Sequence, residues 1–94
     1  MSKGLLRLYI AGDTIGSRRA QRNLVLLREA MKAPCEFEII DVLSDPQRAE
    51  KAGIIATPTL SFENGARLRR AVGDLRDVRR VLDFLGIEMR DDAT

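Results

Sequence analysis

The stretch Leu5-Leu6-Arg7-Leu8-Tyr9-Ile10-Ala11 carries apolar side chains on both of its faces. Side chains alternate along an extended chain, so Leu6, Leu8 and Ile10 share one face while Leu5, Tyr9 and Ala11 share the other. A strand of this kind must be covered on both sides. It therefore belongs inside a sheet with a layer packed against each face, and every later segment has to help build that arrangement.

The next segments supply the layers. After the loop Gly12 to Gly16, Ser17 is placed to cap a helix reaching about Lys32, in which Ala20, Leu24, Leu27 and Met31 recur at three- and four-residue spacing. Pro34 ends it. Cys35 to Val42 alternates and then becomes apolar, as a second strand does. Ser44-Asp45-Pro46-Gln47 starts a short helix: Asp45 caps, Pro46 suits the first helical position, and Gly53 closes the segment. Thr59 to Glu63 reads as a third strand, and Asn64-Gly65 predicts a type I′ hairpin into a fourth, Arg67 to Val72. Gly73 breaks that strand. Asp74 is placed to cap a last helix whose apolar face is Leu75, Val78, Val81, Leu82 and Leu85, and Gly86 ends it.

The order is β-α-β-α-β-β-α. A strand-helix-strand unit with parallel strands takes a right-handed crossover, and the hairpin adds an antiparallel pair. The expected fold is therefore α/β, a four-stranded mixed sheet with helices on both faces. The 94 residues form one domain, with residues 87–94 an acidic tail that frays.

Composition narrows the chemistry. Net charge is only +2, which gives no support for a nucleic-acid partner, and aromatic platforms for single strands are lacking. No apolar run approaches the ~20 residues of a membrane helix, so a cytoplasmic protein without a membrane partner is expected. There is no His, and neither a metal site nor a cofactor is expected. Cys35 is the single cysteine. It reads as a small core or edge residue rather than a reactive thiol.

Two basic groups have two readings each. Arg18, Arg19 and Arg22 crowd the first turns of the first helix, where cations oppose the helix dipole by roughly 0.3–1 kcal/mol apiece. They are either a solvated face or a site for an acidic partner surface or a bound anion. Arg67, Arg69 and Arg70 lie on the last strand, where charge either protects an edge or binds a partner.

Ala56-Thr57-Pro58-Thr59 stands just before the third strand, where the thioredoxin arrangement carries a cis-proline facing the loop after the first strand. That resemblance makes Thr57-Pro58 a candidate cis bond. A thioredoxin- or glutaredoxin-class redox protein would also need a thiolate in the facing loop, and Gly12 to Ser17 contains no cysteine.

Several segments together resemble the KaiB family of circadian clock proteins. They are Leu6 to Gly12, Ser17-Arg18-Arg19-Ala20, Ile40 to Leu43, Pro46 to Glu50, Ile55 to Leu60 and Arg69 to Leu75, in order and with small gaps. The sensor domain of the clock-associated histidine kinase shares much of this pattern, so a sensor-type domain partnering such a kinase stays open beside it. The resemblance implies a thioredoxin-like, non-enzymatic regulator, a monomer or weak homo-oligomer. Its partner would be a KaiC-type ATPase whose phosphorylation or ATPase cycle it modulates, in circadian timing or stress signalling.

By the same resemblance Arg19 belongs to the KaiC-facing surface. Gly73 and Asp74 belong to a segment that switches between a resting fold and a thioredoxin-like, KaiC-binding fold. The chain departs from the family pattern before the double arginine, where Phe62 to Arg67 replaces a proline-rich stretch, and at Gly53, where the family tends to have lysine. With Asn64-Gly65 favouring the hairpin, this chain is expected to rest mainly in the thioredoxin-like form.

Overall fold

The computed structural model describes residues 4–91. Seven elements follow in chain order: β1 (Leu5–Ile10), α1 (Ile15–Ala30), β2 (Glu36–Asp41), α2 (Pro46–Ala52), β3 (Thr59–Asn64), β4 (Arg67–Val72) and α3 (Val78–Leu85). They form a thioredoxin-like α/β fold. The sheet order is β2-β1-β3-β4, with β1 interior as its two apolar faces require. β1 runs parallel to β2 and antiparallel to β3, which pairs antiparallel with β4.

One face holds the main core. Leu6, Leu8 and Ile10 of β1 and Leu60 of β3 meet Ala20, Leu24, Leu27 and Met31 from α1 and its C-terminal cap, with Leu82 and Leu85 of α3. Each fully buried leucine of this set is worth roughly 1.5–3 kcal/mol relative to an exposed one. The opposite face carries Tyr9 and its β2 partner Ile40, both buried, and α2 lies on this side with Ala49 buried. Arg48 of α2 reaches down to Glu38, which Arg7 of β1 also holds, at 2.7 and 2.8 Å. Helices thus cover both faces.

Several boundaries differ from the sequence expectation. Thr14 rather than Ser17 caps α1, accepting a hydrogen bond from the Ser17 amide. Ser17 is instead fully buried one turn in. Asp77 rather than Asp74 caps α3, its side chain accepting from the Arg80 amide. Asp74 instead accepts from the Arg76 amide, in the turn that carries Leu75 at φ 65°.

The hairpin turn is also displaced by one residue. Asn64 pairs with Arg67 inside the ladder, so the two-residue loop is Gly65-Ala66. Gly65 alone has positive φ, at 64°, which is the sign pattern of a type II′ turn and not the expected Asn-Gly type I′.

The tail corrects a further expectation. Ile87 packs on the core, Met89 bridges Met31, and the Arg90 amide donates to Ala30 at 2.8 Å. Residues 87–90 are therefore pinned beneath α1 rather than frayed, because Ile87 and Met89 continue the apolar pattern past Gly86. The last three residues of the expected tail lie outside the described residues. No helix among the described residues is long and apolar enough to cross a membrane.

Candidate functional site

The strand directions bring four connections to one end of the sheet. β1, β2 and β4 end there, β3 begins there, and α1 and α3 start there. Small polar groups fix this end. Ser17 Oγ accepts from the Ala11 amide at 3.3 Å and from the Thr14 hydroxyl at 2.8 Å, folding the loop after β1 back onto its helix. One Asp41 carboxylate oxygen accepts from the amides of Gly12 and Leu43, both at 3.0 Å, and so ties the loops after β1 and β2 together. Neither tie was anticipated. In the sequence Asp41 lies inside the expected second strand, and Ser17 reads as a cap.

The Thr57-Pro58 bond is cis. Pro58 abuts the first turn of α1, where a Cβ placed on Gly16 would stand 3.6 Å from Pro58 Cδ. The Pro58 carbonyl accepts from the Gly73 amide at 2.9 Å, and the Thr59 hydroxyl donates to the Ala56 carbonyl at 2.6 Å. In a redox thioredoxin this proline would face a thiol. Here neither Gly12 to Thr14 nor the start of α1, Ile15 to Arg18, contains a cysteine. Cys35 sits at the opposite end of the sheet, beside the start of β2. Burial pushes its thiol up, more than the neighbouring Arg28 and a backbone hydrogen bond lower it, so thiolate is scarce at neutral pH.

The predicted arginines separate into two groups. Arg18 pairs with Asp13 at 3.2 Å, while Arg19 and Arg22 are exposed and form no ion pair among the described residues. On the other side of α1, Arg28 stacks over the Phe37 ring at 3.5 Å from its centroid.

Arg69 and Arg70 of β4 bind back onto their own fold. They alternate across the strand, so Arg69 and Arg70 reach opposite faces. Arg69 donates to the Phe84 carbonyl at the end of α3, at 3.2 Å. Arg70 donates to the Ala52 and Gly53 carbonyls at the end of α2. Each guanidinium satisfies carbonyls that a helix C-terminus leaves unpaired and faces the negative end of its dipole. In this arrangement the double arginine fastens two helices to an edge strand.

Gly73 and Asp74, expected in a switching segment, form the corner between β4 and α3. Gly73 has φ 124°, and Asn23 of α1 donates to the Asp74 carbonyl at 2.7 Å. Asn64 and Gly65 lie at the far end of the sheet. No cluster of metal-ligating side chains occurs among the described residues.

A family model for the KaiB domain matches residues 7–87 of this chain. The circadian clock oscillator protein KaiB of Parasynechococcus marenigrum (strain WH8102) is 43% identical over 93 residues, spanning 95% of this chain and 89% of that protein. The chain belongs to the KaiB family. The circadian clock protein KaiB3 of Synechocystis sp. is 39% identical over 90 residues, spanning 95% and 86% of the two chains.

Among solved structures, the N-terminal domain of Synechococcus elongatus SasA superposes with a TM-score of 0.72 at 22% identity, over 92% of this chain and 86% of that one. Mitochondrial thioredoxin 3 from Saccharomyces cerevisiae superposes with a TM-score of 0.74 at 18% identity, over 92% and 79%. These likenesses establish the fold. KaiB membership relates the chain to proteins of the circadian clock, and its own cis-proline end carries no thiol.

Proposed function

We propose that this KaiB-family chain is a non-enzymatic regulator that docks on a KaiC-type ATPase and modulates its phosphorylation or ATPase cycle. The observation that carries the reading is the pair Arg19 and Arg22, exposed in the N-terminal half of α1 and without ion-pair partners among the described residues. Two neighbouring exposed cations with no counter-charge among the described residues offer a complementary face to an acidic surface on a partner. Arg18 is the third member of this face, already engaged by Asp13. The proposal is confined to α1, because Arg69 and Arg70 serve the fold. A histidine kinase with a thioredoxin-like sensor domain is the competitor expected at the same ATPase surface.

Titration calorimetry with a KaiC-type ATPase tests this. Charge reversal at Arg19→Glu or Arg22→Glu should weaken binding by about tenfold or more and flatten its salt dependence. Wild-type affinity in both variants would remove α1 as the docking face.

A further inference from the structure

Each strand leaves one large aliphatic side chain in water at the same end of the sheet. In sheet order they are Leu43 after β2, Ile15 after β1, Ile55 before β3 and Val72 closing β4, with 71, 63, 99 and 69% of their surfaces exposed. Isolated exposed aliphatics are ordinary, but four that cross one end of a sheet in strand order are not.

The segments that bear them touch. Leu43 lies against the β1 loop, with its Cδ1 at 3.1 Å from where a Gly12 Cβ would stand. Ile15 precedes Gly16, which abuts Pro58, and Val72 precedes Gly73, whose amide is bonded to the Pro58 carbonyl. Beside them is a 240 Å³ groove lined by Val42, Ala49, Ile54, Ile55, Ala56 and Thr57, with no charged side chain in its lining.

The ties described above hold the Leu43 and Ile15 segments of this band in place. Asp41 fixes the Leu43 loop to the Gly12 loop, and Ser17 fixes the turn before Ile15. Segments fixed in this way need little ordering on binding, which favours association. Ile15 begins the helix that carries Arg18, Arg19 and Arg22, so a basic rim stands directly beside it.

We infer that this end of the sheet is an apolar docking band, and that its occupant is a segment of an acidic protein partner presenting aliphatic side chains flanked by Asp or Glu. The aliphatic face of the occupant covers Leu43, Ile15, Ile55 and Val72, and its acidic flank meets Arg19 and Arg22. This deepens the reading of the α1 arginines as a docking face and rests on it for the charge of the partner. The apolar contacts and the arginines both contribute affinity, and the arginines also set orientation and association rate.

Two arms test the inference. In the first, Leu43→Ser and Ile55→Ser are titrated against a KaiC-type ATPase. Both side chains are exposed, so unchanged thermal unfolding should show the variants folded. Each should weaken binding by about tenfold while leaving the salt dependence as in wild type, unlike the arginine reversals. Binding equal to wild type in both serine variants overturns the band. If the wild-type chain itself fails to bind the ATPase, the reading of that partner falls.

The second arm decides the inference without the ATPase. A synthetic helical peptide with leucines on one face and glutamates at its flanks is titrated into labelled protein, with a polyglutamate peptide of equal length as control. Methyl shifts at Leu43, Ile15, Ile55 and Val72 with the leucine peptide, and much weaker ones with polyglutamate, are expected. Equal effects of the two peptides, or no methyl shift in the band, overturn it.

Discussion

Asp41 shows how much a single side chain can carry in a chain this small. One carboxylate oxygen serves two loop amides, Gly12 and Leu43, at 3.0 Å each. Asp41→Ala should cost about 1–3 kcal/mol in urea denaturation, because both amides lose a charged acceptor, whereas Asp41→Asn keeps an acceptor oxygen and should cost less. Equal stability of Asp41→Ala and wild type would show that water replaces the carboxylate fully. Glu38 makes a different prediction. The guanidiniums of Arg48 and Arg7 hydrogen-bond its carboxylate and hold its pKa below the ordinary glutamate range. A lowered folded pKa means stability that is complete above that ordinary range and lost as pH falls through the folded value. Glu38→Gln should therefore flatten the acid limb of the stability profile while leaving its shape near neutrality unchanged. The size of the effect is limited by solvent, since both arginine contacts are partly exposed. An identical acid limb in the variant would show that other carboxylates govern it.

At the level of elements, the hairpin is the most informative case. Gly65 stands at φ 64° with nothing within 4 Å of where its Cβ would be, so a substitution there meets strain but no clash. Gly65→Ala should destabilise the fold by about 1 kcal/mol through backbone conformation alone, read as a lowered denaturation midpoint with an unchanged slope. No change in midpoint would mean that the turn relaxes to another type. The same hairpin shows what the sequence can and cannot reveal. Strand boundaries, interior β1, the core stripe of α1 and the left-handed ends of α2 and α3 follow from periodicity and from glycine, which are local signals. The turn register departs from the sequence expectation because Asn-Gly is a local preference, whereas the pairing of Asn64 with Arg67 is set by the whole β3-β4 ladder. The expected caps at Ser17 and Asp74 depart from it for a related reason. Several candidates stood within a few residues, and tertiary hydrogen bonds from Ala11 and Asn23 claimed Ser17 and the Asp74 corner for other uses. The β4 arginines were legible as a basic group, but the contacts of Arg69 and Arg70 depend on helix ends distant in sequence.

For the whole molecule, the expectation to test is that the thioredoxin-like form predominates. Residues 60–67 here run from β3 through the turn into β4, with Arg69 and Arg70 fastening that strand to α3 and α2. An advantage of even 1–2 kcal/mol shifts two populations by about 5- to 30-fold. We therefore predict that backbone chemical shifts in solution report strands over Thr59–Asn64 and Arg67–Val72 as the dominant form. A dominant helix across Leu60 to Arg67 would overturn this. One last consequence comes from the short bridge between Met31 and Met89. It delivers the C-terminal segment to the foot of α1, and Gly4 enters the sheet at that same foot, where its carbonyl accepts from the Glu36 amide. Both ends of the described chain thus leave the molecule on the side away from Pro58. A fluorophore, an affinity handle or a sensor-chip linkage attached at either end would hang from the foot like a tether. The cis-proline end would remain turned outward to whatever is flowed over it.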